Sequence, residues 1–224
     1  LNLLDGKAAT NLALVGKQGG TNFTDSLLVG HSTTGTLNSA ENNVGVGIGT
    51  LDSITSGDNN VAIGKNALTA LTTSSNNVAV GLSSAQNLTT SAGGNTAFGN
   101  SSLYHNKTGT DNVAIGNSAL QGASNQSSSG GVALGASALE AVTTGANNIG
   151  IGKSAGDNIT SGAGNVIIGS LDAGSATGSR QLKIAGNDGS TTTTWISGDS
   201  SANVVIGGTV TEYGGASLTT TGKA

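Results

Sequence analysis

The chain has 224 residues, 38 of them glycine, and contains no cysteine, proline or methionine, which excludes disulfides and thiolate metal sites. Its net charge of −4 comes from 12 acidic and 8 basic residues spread without runs. There is therefore no basic stripe for nucleic acid and no polybasic membrane anchor. No apolar stretch approaches the ~20 residues that span a bilayer. We expect neither a nucleic-acid partner nor membrane insertion.

Residues 1–21 form the first predicted segment, which contains apolar residues but no repeat. The chain begins with Leu1 and carries no signal-peptide pattern, so we expect a processed form or a fragment. We interpret this segment as a connecting or stem region. Its apolar residues are Leu1, Leu3, Leu4, Leu12, Leu14 and Val15.

Residues 22–171 form the second predicted segment, which consists of repeats. An apolar pair ends on a glycine nine times, at spacings of 17, 17, 17, 18, 17, 19, 17 and 17 residues. Such a period is typical of one unit stacked on its own copies. We predict an all-β fold, a parallel β-solenoid (β-roll or β-helix) of about nine 17-residue coils. The glycines are Gly30, Gly47, Gly64, Gly81, Gly99, Gly116, Gly135, Gly152 and Gly169.

Each unit is predicted to contain two short strands and two turns. In the unit of residues 60–76, Val61 and Ile63 alternate with smaller residues, which is the period of a strand with one bulky face. Gly64 then turns the chain because glycine adopts positive φ at little cost. Ala67 and Leu68 supply a second inward edge.

Equivalent residues of successive coils are expected to form columns. Asn43, Asn60, Asn77, Asn95, Asn112, Asn148 and Asn165 form one column, in which stacked amides can hydrogen-bond along the axis. The valine and isoleucine columns are predicted to face inward. The predicted structural core of the repeat is Val61, Ile63, Gly64, Val78, Val80, Val113, Ile115, Gly116, Ile151, Val166 and Ile168. A thin coil with so few large apolar residues favours a homo-oligomer.

Residues 172–224 form the third predicted segment, a β-rich linker. Residues 181–185 and 193–196 read as two strands around a Gly-Asn-Asp-Gly turn, and residues 203–207 as a further strand. We expect Trp195 to cap the end of the apolar column, and the chain to be truncated at its carboxyl end.

No motif predicts catalytic, cofactor or metal-binding residues. Residues 150–154 look like the end of a phosphate-binding loop, but Asn147 stands where the first glycine is required, and the 17-residue period explains the segment. His31 and His105 lack convergent partners, although three-fold symmetry would bring copies of one histidine together on an axis.

Surface recognition is predicted at exposed turns, because insertions in solenoids map to one face that often binds partners. The candidates are Tyr104, His105 and Lys107, together with the insertion at residues 121–129. Tyr104 offers a ring for sugar stacking, and the alternative is that it only covers the edge of a coil.

The recurring Asn-Val-Ala-Ile-Gly-x-x-Ala-Leu of residues 60–68 and 112–120 resembles repeats of bacteriophage tail fibres and tailspikes. It is also similar to the head repeats of trimeric autotransporter adhesins, which form left-handed parallel β-rolls in homotrimers. Residues 1–6 and 196–210 resemble segments of phage tail fibres.

The phage resemblance implies a non-enzymatic homotrimeric rod in the virion, in a tail fibre or spike, that projects host-recognition elements. Its partners would be copies of itself, other virion tail proteins and a host surface polysaccharide or protein, and no cofactor is implied. The alternative is an adhesin head on a bacterial cell surface that binds host ligands. A third reading is a tailspike polysaccharide depolymerase, whose paired carboxylates would converge across coils.

Overall fold

A computed structural model describes residues 16–20, 22–30, 34–123 and 126–207. Within this part of the chain the fold is all-β, without helix, and all strands belong to a single 14-stranded sheet. Most of the predicted stem segment, residues 1–15 and 21, and the end of the chain after Gly207 lie outside the described residues, as does His31.

Eight strands of three residues each form the repeated part of the sheet. They are β4 (Val44–Val46), β5 (Val61–Ile63), β6 (Val78–Val80), β7 (Thr96–Phe98), β8 (Val113–Ile115), β9 (Val132–Leu134), β10 (Ile149–Ile151) and β11 (Val166–Ile168). The flanking strands are β1 (Gly16–Gly20), β2 (Phe23–Val29), β3 (Ala40–Glu41), β12 (Leu182–Asn187), β13 (Thr192–Gly198) and β14 (Val204–Ile206).

The repeats stack as parallel coils in register, which confirms the predicted β-solenoid. Val61 of β5 pairs with Val78 of β6, and the equivalent pairing recurs at every step from β4 to β11. With β2 and β12 included, ten strands pair in parallel. At about 4.8 Å per step, they extend over about 43 Å.

The glycine that ends each strand forms the corner of the coil. These glycines have φ between 109° and 142°, and the next coil lies directly against them. A Cβ added to Gly47 would lie 2.8 Å from the carbonyl carbon and oxygen of Gly64. Glycine is therefore required twice over at the corner, by the backbone conformation and by the neighbouring carbonyl.

The second inward edge is a turn rather than the predicted second strand. Leu68 has φ 51° and Asn66 has φ 61°, and leucines at the same position in other coils, such as Leu103 and Leu120, also have positive φ. Leucine rarely adopts this conformation. Its complete burial compensates, because each of these side chains fills the middle of its coil.

The asparagine column is confirmed as a hydrogen-bonded ladder inside the solenoid. The Nδ2 of Asn60 donates to Oδ1 of Asn43 over 3.0 Å, and the backbone amide of Asn60 donates to the same oxygen. The pattern continues through Asn77, Asn95 and Asn112 and resumes from Asn148 to Asn165. It stops where the 19-residue coil brings Gly131 into the column, whose amide alone donates to Asn112.

Both ends of the parallel stack are continued by antiparallel strands. β1 pairs antiparallel with β2, and at the other end β13 pairs with β12 and β14 with β13. The predicted hairpin and third strand are confirmed. Parallel pairing continues beyond Leu171, since Val166 pairs with Leu182.

Candidate interaction surface

The outer face of the coil strands is apolar and partly exposed. In each of the coil strands β4–β11 the first and third side chains point outward and the middle one points inward. Ile63 is 40% exposed and Ile115 is 41% exposed, whereas Ala62 and Ala114 are fully buried. Most of the large aliphatic side chains of the coil strands therefore line the outside of the coil.

The predicted inward orientation of the valine and isoleucine columns is wrong. The space beneath the strands is filled from the opposite arm of the coil, by the leucines with positive φ. A Cβ on Gly150, which holds the inner position of β10, would lie 2.7 Å from Cγ of Leu139. The predicted core residues that lie on the outer face instead are Val61, Ile63, Val78, Val80, Val113, Ile115, Ile151, Val166 and Ile168.

Ile167, the inner residue of β11, shows the same constraint from the other side. It is fully buried because the preceding coil has Gly156 where most others have leucine. A Cβ on Gly156 would lie 3.1 Å from Cγ1 of Ile167. A large side chain thus fits at the middle position of a coil strand only where the opposite arm of the coil has a small residue. Where the opposite arm has leucine, the middle position must be glycine or alanine.

Two columns of outward side chains form what we call the apolar strip. The first is Leu27, Val44, Val61, Val78, Thr96, Val113, Val132, Ile149, Val166 and Leu182. The second is Val29, Val46, Ile63, Val80, Phe98, Ile115, Leu134, Ile151, Ile168 and Ile184. The strip is about 43 Å long and two side chains wide. A continuous apolar patch of this extent marks an interaction site.

A few charged residues lie at the two edges of the apolar strip, mostly basic on one edge and mostly acidic on the other. Lys65 and Lys153 follow the corner glycines on one edge and are exposed. On the other edge Asp58 lies next to Glu41, whose backbone amide donates to Oδ1 of Asp58 over 2.8 Å. Lys65 and the pair of Glu41 and Asp58 would attract each other if two copies met edge to opposite edge. Most other edge positions are uncharged, and Arg180 lies on the acidic edge.

The predicted recognition residues lie apart from the apolar strip, in the coil arm that follows Leu103. Tyr104 and His105 are half-buried and form an edge-to-face pair, with ring centroids 4.5 Å apart and an interplanar angle of 87°. Lys107 is exposed, and its carbonyl accepts a hydrogen bond from the Thr89 amide. The structure thus brings two of the three residues together. Within the adjacent insertion, residues 124–125 lie outside the described part.

The segment that looks like a phosphate-binding loop is an ordinary part of the repeat. Gly150 and Ile151 belong to β10, Gly152 is a corner glycine, and Lys153 is exposed in the turn that follows. The amide of Ser154 donates to the carbonyl of Ala136, the equivalent step one coil earlier. The predicted explanation by the 17-residue period agrees with this geometry.

Three acidic residues, Glu140, Asp157 and Asp172, lie near one another in successive coils. Partial burial raises the pKa of the Asp157 carboxyl, and hydrogen bonding to Asp172 raises it further, while a hydrogen bond from Ser154 opposes the change. Among the described residues, no group of three or more histidine, cysteine, aspartate or glutamate side chains is arranged to hold a metal ion.

The hairpin of β12 and β13 carries the one exposed tryptophan of the chain, Trp195, which is 52% exposed. The register shifts between Ile184 and Ala185, which leaves Trp195 as an extra residue in β13. Its ring lies against Gly186, where an added Cβ would be 2.6 Å from Cζ2. In the turn, the backbone amides of Thr191 and Ser190 donate to Asp188, which lowers the pKa of that carboxyl.

Comparison with known proteins gave no match: no protein-family model, no curated protein and no solved structure is significantly similar to this chain. In the part of the chain that the structure describes, no helix is long and apolar enough to cross a membrane.

The apolar strip was missed at the sequence level although a signal for it exists. The middle strand position is glycine or alanine in seven of the eight coil strands β4–β11, and among these only β11 differs. A position restricted to the smallest residues indicates a crowded interior. The larger neighbours must then face outward, because side chains alternate along a strand.

Proposed function

We propose that this chain is a structural rod whose copies associate through the apolar strip to form the shaft of a phage tail fibre or tailspike. The observation that supports the proposal best is the strip itself. Its side chains remain partly exposed in a coil whose interior is already full. Association of copies would remove this apolar surface from water, which is the main favourable term in most protein association.

The charges at the edges of the strip favour a closed ring over a two-fold dimer. In a ring every copy places one edge against the opposite edge of the next copy, so that Lys65 meets the acidic edge formed by Glu41 and Asp58. The resemblance of the repeats to phage fibres and trimeric adhesin heads supports a ring of three parallel chains.

In this proposal the shaft lies in the virion, contacts other tail proteins, and holds a host-recognition element away from the particle. The strip is an assembly surface, so contacts with a host polysaccharide or protein would use other regions, such as the turn of Tyr104 and His105. No catalytic role is proposed for this chain.

Imaging of virions tests the location. Gold-labelled antibodies raised against residues 34–123 are expected to bind along the tail fibres or spikes, and labelling of a bacterial cell surface instead would support the adhesin alternative. Incubation with purified host capsule tests the absence of catalysis. Sustained release of reducing sugar would contradict the proposed role and favour a depolymerase.

A further inference from the structure

The β12–β13 hairpin projects beyond the edge of the coil because the corner glycine is missing there. In the parallel register, Ala185 occupies the position that follows Gly169 in the corner column. Alanine cannot adopt the positive φ of the corner without strain. The chain therefore does not turn, and β12 continues to Asn187 as a six-residue strand, twice the length of each coil strand.

Trp195 lies on the same side of the sheet as the apolar strip. Leu182 and Ile184 pair with the outward residues Val166 and Ile168, so Gly186 also faces outward two residues further along. The indole covers the position that a Cβ of Gly186 would take. The β-bulge at Trp195 directs the ring to this face, which is a recognised effect of bulges.

A cavity of about 490 Å³, open to solvent, lies beside the indole and is lined by Gly186, Asn187, Asp188, Thr191, Thr193 and Trp195. The cavity joins an aromatic surface to a rim of polar groups held by the turn. Buried aromatic anchors surrounded by polar rims are typical of the strongest contacts in protein interfaces.

We infer that the hairpin of each copy packs on the adjacent copy, with Trp195 as its anchor. This inference rests on the proposed self-association. The occupant is a second copy because the tryptophan face is continuous with the apolar strip through Ile184 and Ile196, which pair with each other. The β12–β13 hairpin extends past the edge of the apolar strip of its own copy. A second copy that packs on this strip would therefore lie against the hairpin. The contact ties neighbouring copies together at the end of the stack.

Intrinsic fluorescence tests the inference directly, because Trp195 is the only tryptophan in the chain. The measurement compares emission and acrylamide quenching of the wild-type assembly with those of Ile115→Asp, the variant designed to stay monomeric, after native mass and circular dichroism have verified both states. In the assembly we expect a blue-shifted emission maximum and several-fold weaker quenching. Diluting the wild type until it dissociates should reproduce the monomer values.

A pair of variants supplies the energetic test. Trp195→Ala should still assemble, since the apolar strip is intact, but it should dissociate at a lower urea concentration than the wild type. Trp195→Phe should recover much of the loss, and Lys107→Ala, which changes an exposed turn elsewhere, should match the wild type.

The outcomes separate the inference from the proposed function. A verified assembly in which Trp195 is quenched as strongly as in the monomer would overturn the inference and leave the shaft proposal intact. Weak acrylamide quenching of Trp195 in both the assembly and the monomer would also overturn it, because the ring would then be covered by a segment of the same chain. A wild type that never associates would overturn the proposed self-association itself.

Discussion

The two faces of the coil strands are both apolar, but different physical demands select their side chains. On the inner face Ala114, the middle residue of β8, is fully buried, and leucines from the opposite arm of the coil fill the space beneath the strands. On the outer face Ile115 is 41% exposed and has no packing limit within its own chain. The inner face therefore accepts only small side chains, and this restriction helps to specify the fold. The outer face has large apolar side chains that another copy could cover.

The largest expected effect comes from enlarging the inner face. Ala114→Leu adds three carbons at a fully buried position, so we expect a loss of about 3 kcal/mol or more in the free energy of unfolding. Urea denaturation followed by circular dichroism measures this loss. Ile115→Leu, a change of shape one residue away on the outer face, is the control and should cost much less. Equal losses in both variants would contradict the assignment of the faces.

A charge on the outer face should abolish assembly while leaving the coil folded. In Ile115→Asp the carboxylate remains hydrated in the monomer, but association would bury it without a partner. We expect a monomer by native mass, with the circular dichroism spectrum of the wild type. Ile115→Val keeps the apolar character and should assemble. An Ile115→Asp variant that assembles as the wild type does would show that this face is not the interface.

Buried polar groups inside the coil must also be hydrogen-bonded, and a substitution in the asparagine ladder tests this requirement. Oδ1 of Asn95 accepts hydrogen bonds from the backbone amide of Asn112 over 3.1 Å and from its Nδ2 over 2.9 Å. Asn95→Ala leaves both donors buried without this acceptor, which should cost about 2–4 kcal/mol. Asn117→Ala, at an exposed turn, is the matched control and should be nearly neutral in the same urea titration.

The smallest effect concerns the acidic residues near the end of the stack. Because the pKa of Asp157 is raised in the folded chain, its contribution to stability is complete below the pKa of the unfolded state and is lost as pH rises through the folded pKa. Asp157→Asn should therefore raise Tm at pH 7 by no more than about 1–2 °C. The gain should disappear in acid, where the wild-type carboxyl is protonated. A gain that is the same at both pH values would contradict a titration effect.

Much of the architecture could be predicted from the sequence because the repeat imposes it. The spacing of the glycines predicts coils in register, and one asparagine per coil predicts a ladder, both of which depend only on the period. The direction of the strand faces could not be predicted from the bulk of Val61 and Ile63, since alanine is apolar too and alternation alone does not say which face is inside.

The inner packing depends on an unusual backbone conformation that local preference does not predict. Leu68 adopts a positive φ, which costs a leucine conformational energy, and the burial of its side chain compensates. The projecting hairpin was predicted as a hairpin, but its reach was not. That reach follows from Ala185 standing at a corner position, which becomes evident only when the coils are aligned in space.

The mass of the purified chain in native solution tests the central claim most directly. If the outer face is an interface between copies, native mass spectrometry or light scattering will find three chains per particle at micromolar concentration, and Ile115→Asp will remain a single chain. A wild-type chain that stays monomeric and folded over the same concentrations would contradict the claim, because the apolar strip would then remain exposed to water.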